Sequence, residues 1–137
     1  MTPSKYLTTC LDHISLINPK INALTAIDSE RAIVEASQSD LRWKAGTPKG
    51  PLDGLPVGIK DLQDTQGLLT THGSIRARGN VPDRDLPMVA RLRTAGAIIL
   101  AKTNVPELGA GGNSRNPVWG ATGNPFDPNL IAGGSSG

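Results

Sequence analysis

The fold of this chain is decided by one stretch of sequence, Ala97-Ile98-Ile99-Leu100-Ala101-Lys102-Thr103. It is almost entirely apolar, which is typical of a strand that is covered on both faces of a sheet. A second, shorter strand is predicted at 55–59, where alternate residues are apolar. A helical pattern at 87–95 lies between the two strands. A strand, a helix and a buried strand in this order predict a crossover connection, parallel pairing and therefore an α/β fold.

Two further features are expected around this unit. Asp83 or Asp85 is suited to cap the helix, and residues 68–74 have the composition of another strand that ends in a glycine turn. Residues 104–137 contain eight glycines and four prolines and show little periodicity. Because this tail also has apolar residues that can pack against a core, it is predicted to be a functional loop region rather than a disordered one.

The first 45 residues have a different texture. A helix is predicted from a cap at Thr2 to Asn18, because the residue before Pro19 avoids the helical conformation. A short extended segment at 21–27 follows, and a second helix is predicted from a cap at Asp28 or Ser29 to about Trp43. We therefore expect a single domain over residues 1–137, with a helical hairpin region at 1–45 and the start of an α/β core at 46–137.

Composition excludes several classes of function. With 14 basic and 12 acidic residues the formal net charge is only +2, which does not favour nucleic acid or an anionic membrane as a partner. No apolar run is long enough to span a bilayer, and the single cysteine, Cys10, rules out a disulfide within the chain. The patterns of nucleotide-binding glycine loops and of zinc sites are absent. The prediction is a cytoplasmic protein that needs no metal or organic cofactor.

The residues with chemical potential are a lysine and two serines. Lys60 directly follows the predicted strand at 55–59, where the strand gives way to a loop. Ser135 and Ser136 lie in a glycine-rich loop. A serine needs a base before it can attack a carbonyl, and a lysine is a base only when poor solvation keeps it neutral. The alternative for Lys60 is a surface ion pair with Asp61. His72 is a weaker catalytic candidate, since nothing in the sequence places it beside a serine.

Four blocks resemble the amidase signature family, in the same order and without obvious gaps: 54–61, 95–108, 120–127 and 133–137. The resemblance implies a mixed β-sheet core covered by helices, of which this chain would be the N-terminal and incomplete part. It also implies hydrolysis of a carboxylic amide of a small molecule by a Ser–Ser–Lys triad, without a cofactor. The 70–74 block resembles general amidases more than the tRNA-dependent amidotransferase branch.

The resemblance also implies roles for individual residues. Lys60 matches the family's base, and Ser135 matches the bridging serine that follows a cis peptide bond, which places such a bond at Gly134–Ser135. Ser136 would hydrogen bond near the site, and the backbone of Gly109 would face the acyl group of the substrate. The family's nucleophilic serine lies in an Asp-x-Gly-Gly-Ser block, which does not occur in these residues.

Two interpretations follow from that missing block. In the first, the chain supplies the lysine and the bridging serine of an amidase and is inactive alone. In the second, it is a truncated, non-catalytic interaction domain or one half of a split enzyme. Its expected partners are accordingly the missing C-terminal amidase portion or a second copy of itself, and the substrate amide is not identified by the sequence.

Overall fold

A computed structural model describes residues 1–136 of the protein. Its regular elements are the helices α1 (Pro3–Ile21), α2 (Ser29–Lys44) and α3 (Pro87–Thr94), the strands β1 (Leu24–Ile27), β2 (Pro56–Lys60), β3 (Ile98–Thr103), β4 (Arg115–Asn116) and β5 (Gly120–Ala121), and the short 3₁₀ turns Ile75–Ala77 and Glu107–Gly109.

Strand β3 is the centre of a mixed three-stranded sheet with the order β1-β3-β2. Strand β2 runs parallel to β3, with Lys60 opposite Thr103, and β1 runs antiparallel to it. The predicted parallel pairing across a helical crossover is therefore confirmed. Strands β4 and β5 form a separate antiparallel pair in the glycine-rich tail.

The sheet separates two apolar clusters, because neighbouring residues of β3 point to opposite faces. On one face, Ile98 and Leu100 pack with Leu7 of α1 and with two alanines of α2. On the other face, Ile99 packs with Ile59 and with Val89 of α3. Each large apolar side chain buried in this way contributes roughly 1.5–3 kcal/mol. Together the clusters hold the ends of β2 and β3 in a fixed relation.

Helix α1 begins as predicted and ends later. The Thr2 side chain accepts a hydrogen bond from the Lys5 backbone N–H, but the helix continues through Pro19 to Ile21. Pro19 supplies no N–H to the helix, and the last turn ends at Asn22, whose left-handed backbone N–H donates to the Asn18 carbonyl.

Helix α2 runs from Ser29 to Lys44, and of the two predicted caps, Asp28 and Ser29, it is Asp28 that caps the helix. The predicted cap of α3 is wrong, because Leu86 precedes the helix and supplies no side-chain hydrogen bond. The Asp85 carboxylate instead accepts from the Gln66 N–H at 2.7 Å and from Arg93 Nε at 2.8 Å. Asp85 thus joins the crossover loop to the helix rather than capping it.

The strand expected at 68–74 does not form. Its backbone bonds to loops instead, with the Thr70 N–H donating to the Asn80 carbonyl and the Thr71 N–H donating to the Asp61 carboxylate. The β-branched residues there, Thr70 and Thr71, are buried as hydrogen-bonding groups rather than as strand residues. This segment packs directly behind the end of β2.

The tail from residue 104 is only partly packed. Val105 is fully buried, as the prediction of a packed loop requires, whereas Phe126 is 97% exposed and Leu130 and Ile131 are more than half exposed. Within residues 1–136, no helix combines the length and the hydropathy that a membrane span requires. The division of the chain at residue 45 stays a prediction.

Candidate functional site

Lys60 and Ser135, which are 75 residues apart in the chain, meet at the end of β2. Lys60 Nζ donates a hydrogen bond to Ser135 Oγ at 2.7 Å, and both residues are partly buried. The lysine reaches this point because it is the last residue of β2, where the strand gives way to a loop. Ends of parallel strands are where α/β proteins place their functional groups.

The loop that carries Ser135 is held against the tail of the chain by its backbone. The Ser114 N–H donates to the Gly133 carbonyl at 2.9 Å, and the peptide bond between Gly134 and Ser135 is cis. A Cβ on Gly134 would lie 2.7 Å from the carbonyl carbon of Gly112, so only glycine fits at this backbone contact. Residue Gly137 lies outside the described residues.

Asp61 is not the surface partner of Lys60 that the alternative interpretation requires. It is fully buried, and its carboxylate accepts from the Thr71 N–H at 2.8 Å, from Thr71 Oγ1 at 2.6 Å and from Trp119 Nε1 at 3.1 Å. The Gln63 N–H donates to the Lys60 carbonyl and closes a tight turn after the strand. Two separate segments, those of Thr71 and Trp119, are therefore fastened to the residue that follows Lys60.

The two predicted substrate-contacting residues occupy different environments. Gly109 has a left-handed backbone with φ of 76°, and a Cβ there would lie 2.7 Å from Leu62 Cδ1. The backbone of Gly109 thus lies against Leu62, which is two residues after Lys60 in the loop that follows β2. Ser136 is exposed beside Ser135. The structure therefore brings Lys60 and Ser135 together, places Gly109 near their loop and leaves Ser136 open.

His72 has a different partner from the serines. Its Nε2 lies 3.3 Å from Asp64 Oδ1, and its carbonyl accepts a hydrogen bond from the Leu108 N–H at 2.8 Å. Both His72 and Leu108 have a left-handed backbone with φ of 53°. The histidine is therefore a junction between two loops, whereas the hydroxyl of Ser135 is bonded to Lys60.

Sequence reasoning missed the amide network that organises the tail. Asn116 Nδ2 donates to Asn104 Oδ1 at 2.8 Å and to the Val105 carbonyl at 2.7 Å, and Asn104 Nδ2 donates to Thr122 Oγ1 at 3.0 Å. All three polar residues are buried. An asparagine directly after an apolar strand is the signal that could have revealed the network, since a buried amide must find partners.

Sequence and structure comparisons agree on one family. The profile of the Amidase family matches residues 5–137. A glutamyl-tRNA(Gln) amidotransferase subunit of Azoarcus sp. (strain BH72) is 45% identical over 130 residues, which are 95% of this chain and 26% of that protein. A solved peptide amidase from Stenotrophomonas maltophilia has a TM-score of 0.90 at 29% sequence identity. The superposed residues are 99% of this chain and 29% of the peptide amidase chain.

A second solved structure comes from a vestigial protein complex described as revealing the origins of an s-triazine catabolic enzyme. It has a TM-score of 0.92 at 36% identity and covers 99% of this chain and 30% of its own. The chain thus spans about a quarter of the Azoarcus relative, at 26%. That relative's name does not support the expectation that residues 70–74 set the chain apart from the tRNA-dependent branch. The predicted α/β fold and family are confirmed, and the chain belongs to the Amidase family.

Proposed function

We propose that this chain supplies two of the three catalytic groups of an amidase, Lys60 as the base and Ser135 as the proton relay. The observation that carries the proposal is the 2.7 Å hydrogen bond between Lys60 Nζ and Ser135 Oγ. That distance is short enough for direct proton transfer between the two groups. The backbone after the lysine is held by the buried carboxylate of Asp61, which accepts hydrogen bonds from Thr71 and Trp119, and this supports a fixed position of the amine beside Ser135.

The proposed reaction is hydrolysis of a carboxylic amide of a small molecule. Neutral Lys60 takes the proton of Ser135 as Ser135 takes the proton of a nucleophilic serine, whose oxygen attacks the amide carbonyl. The relay then runs in reverse, and the proton reaches the leaving nitrogen as the C–N bond breaks. Water then attacks the acyl-enzyme ester and releases the acid. The backbone of Gly109 and the hydroxyl of Ser136 are proposed to contact the substrate.

The nucleophile has to come from elsewhere, because the Asp-x-Gly-Gly-Ser block of the family does not occur in these 137 residues. We therefore expect the chain alone to have no turnover. The group that completes the site is proposed to be further amidase sequence, on the same or on a second chain. The proposed enzyme is cytoplasmic and uses no metal or organic cofactor.

A second candidate function is the release of ammonia from an amide for transfer to another substrate. It is favoured by the name of the Azoarcus relative, an amidotransferase subunit that is 45% identical. The two candidates share the chemistry at Lys60 and Ser135 and differ in the fate of the ammonia. A non-catalytic interaction domain is the third possibility, and it predicts no dependence of any activity on these two residues.

The test is a fusion of this chain to the residues that follow the matched segment in the Azoarcus relative. Ammonia release from glutamine and from a panel of small amides is measured for the fusion and for the 137-residue chain. We expect release by the fusion only. Lys60→Ala and Ser135→Ala should each lower kcat by about 10²-fold or more, since each interrupts the proton relay.

Matched controls are Lys44→Ala and Ser37→Ala, which remove the same groups from the exposed face of α2. Both should retain the activity of the parent fusion. Release of ammonia by the 137-residue chain that disappears in Lys60→Ala would overturn the proposal that the nucleophile lies elsewhere. A fusion that is active without Lys60 would overturn the role of the lysine and leave the non-catalytic interpretation.

A further inference from the structure

Lys102 is a completely buried lysine directly behind the proposed base. It is the largest of the fully buried side chains, and it lies one residue before the end of β3. Its ammonium donates to the Gln63 carbonyl and to Thr65 Oγ1, the latter at 2.8 Å. Burying an ammonium costs several kcal/mol unless its surroundings compensate, so this side chain calls for a specific explanation.

Both acceptors of Lys102 belong to the turn that follows Lys60. The Gln63 N–H donates to the Lys60 carbonyl at 3.0 Å, and Thr65 Oγ1 donates to the same Gln63 carbonyl that Lys102 contacts, at 2.9 Å. The ammonium, the Gln63 carbonyl and the Thr65 hydroxyl thus form a closed triangle. This triangle fixes the backbone of the turn within five residues of Lys60.

The two lysines approach this turn from opposite faces of the sheet. The alternation of faces along β3 is interrupted, because the register shifts between Val57 and Gly58, which pair with Ile99 and Ala101. After the shift Ile59 pairs with Lys102 and Lys60 with Thr103, and paired residues of parallel strands share a face. The location of Gly58 agrees, since a Cβ there would lie 2.9 Å from Thr103 Cγ2, on the Lys60 face. Lys102 therefore anchors the turn from behind while Lys60 extends to Ser135 in front.

Charge compensation links Lys102 to the same segment. Burial lowers the pKa of Lys102 to about 8, and the nearby carboxylates of Asp61, Asp64 and Asp85 act in the opposite direction. Asp61 is itself held by Thr71 and Trp119. A cation and an anion that flank the turn therefore each make hydrogen bonds that restrict it.

From these contacts we propose that Lys102 is a positioning residue that holds the turn 60–65 so that Lys60 Nζ stays on Ser135 Oγ. The proposal rests on the proposed function, since positioning matters only if Lys60 is the base. Within the described residues the hydrogen bonds of the Lys102 ammonium go to Gln63 and Thr65 and not to Ser135, and so it acts on Lys60 through the turn.

The test measures the rate at which an amine-selective acylating reagent modifies Lys60 in the 137-residue chain, quantified by peptide mass spectrometry. Exposed Lys5 and Lys20 serve as internal references. Lys102→Met should raise the relative rate of Lys60 at least about threefold, the change expected when one hydrogen bond no longer restrains the amine. Ser135→Ala should raise it to a similar extent, because it removes the partner directly.

Substitutions of Thr65 provide a second test, which applies even if Lys102→Met fails to fold. Thr65→Val removes the hydroxyl of the triangle and should raise the rate of Lys60, whereas Thr65→Ser retains the hydroxyl and should restore it. Thr70→Val is the matched control, because Thr70 is equally buried and also donates to the carbonyl two residues earlier, yet it lies outside the triangle.

A merely structural role of Lys102 predicts a different result. Lys102→Met and Thr65→Val would then lower the melting temperature and leave the relative rate of Lys60 at its wild-type value, which would overturn the proposal. An equal increase in Thr70→Val would do so as well. Because the measurement requires no turnover, an inactive fusion would refute the proposed function without affecting this result.

Discussion

The carboxylate of Asp53, in the loop between α2 and β2, accepts four hydrogen bonds. Its carboxylate accepts from Ser39 Oγ at 3.0 Å, from Arg42 Nε at 2.8 Å and Nη2 at 2.6 Å, and from the Lys49 N–H at 3.0 Å. The hydrogen bond from Arg42 is the largest of the causes that hold the pKa of Asp53 far below its usual range. The sequence shows an aspartate before a glycine and contains no signal for these four contacts.

We predict that Asp53→Asn lowers the free energy of unfolding by about 3–5 kcal/mol, because it leaves the Arg42 guanidinium without its buried partner. The folded carboxyl binds protons more weakly than the unfolded one. Its stabilisation is therefore present above the unfolded pKa, near 4, and is lost as the pH falls below that value. Urea unfolding at pH 7 and at pH 3 measures both effects.

The control for Asp53 is Asp12→Asn, at an exposed position on α1. It should leave the unfolding free energy within about 0.5 kcal/mol of the parent value. The pH difference should be smaller in Asp53→Asn than in the parent chain. A variant with an unchanged urea midpoint at pH 7 would show that the Arg42 contact contributes nothing to stability.

Gly134 sets the second prediction at this scale. The glycines of the loop at 133–137 indicate a close backbone contact, but the sequence does not identify the partner. In the structure that partner is the backbone of Gly112 and Asn113. Gly134→Ala should displace the loop and lower stability by about 1–3 kcal/mol, because the added methyl meets backbone that cannot yield. Faster acylation of Lys60, measured with the same reagent, should accompany the loss.

Gly112→Ala provides the matched control for that change. A Cβ on Gly112 meets no atom within 4 Å, so the same substitution on the other side of the same contact should be tolerated. Equal effects of the two substitutions would contradict the steric explanation.

At the scale of elements, the sequence predicts what apolar periodicity determines. Strands β2 and β3 and helix α2 lie close to where the pattern places them, since the apolar residues of the strands and the alanines of the helix are the ones that pack in the core. The predictions are wrong where hydrogen bonds from polar side chains determine the backbone conformation. Residues 68–74 have strand composition, but the carboxylate of Asp61 and the amide of Asn80 capture their backbone.

Buried polar partners are the part of the site that the sequence does not predict. Lys60 and Ser135 are recognisable from the resemblance, whereas their contact depends on two loops that only the fold brings together. Lys102 lies at the end of an apolar strand and resembles any lysine at a strand terminus. Its burial follows from the position of the turn at 63–65, and that position depends on contacts too distant in sequence to be read from it.

At the scale of the whole molecule, the chain exposes more surface than a compact protein of its mass. Its accessible surface is 7761 Å², whereas a monomer of this size is expected to expose about 6,800 Å². Part of the excess is an apolar groove of about 420 Å³ beside β2, between α1 and the sheet. Cys10, Ile14, Leu24, Pro56 and Leu100 are among its lining residues.

We predict that the isolated chain self-associates through this groove, because exposed apolar surface favours association and a pure sample offers it a second copy of the chain. Sedimentation velocity at several concentrations should show a reversible shift from monomer to dimer. Thr9→Glu/His13→Glu adds two negative charges at the groove, where both residues contribute to the lining. This double variant should move the midpoint of dimerisation to at least about tenfold higher concentration.

The control is Thr8→Glu/Ser15→Glu, which adds the same charge to the same helix. Residues 8 and 15 lie on a different side of α1 from 9 and 13, because each residue advances the helix by about 100°. This variant should associate like the parent chain. If both double variants weaken association equally, net charge rather than the groove governs it, and a parent chain that is monomeric at every concentration would show that the groove does not bind a second copy.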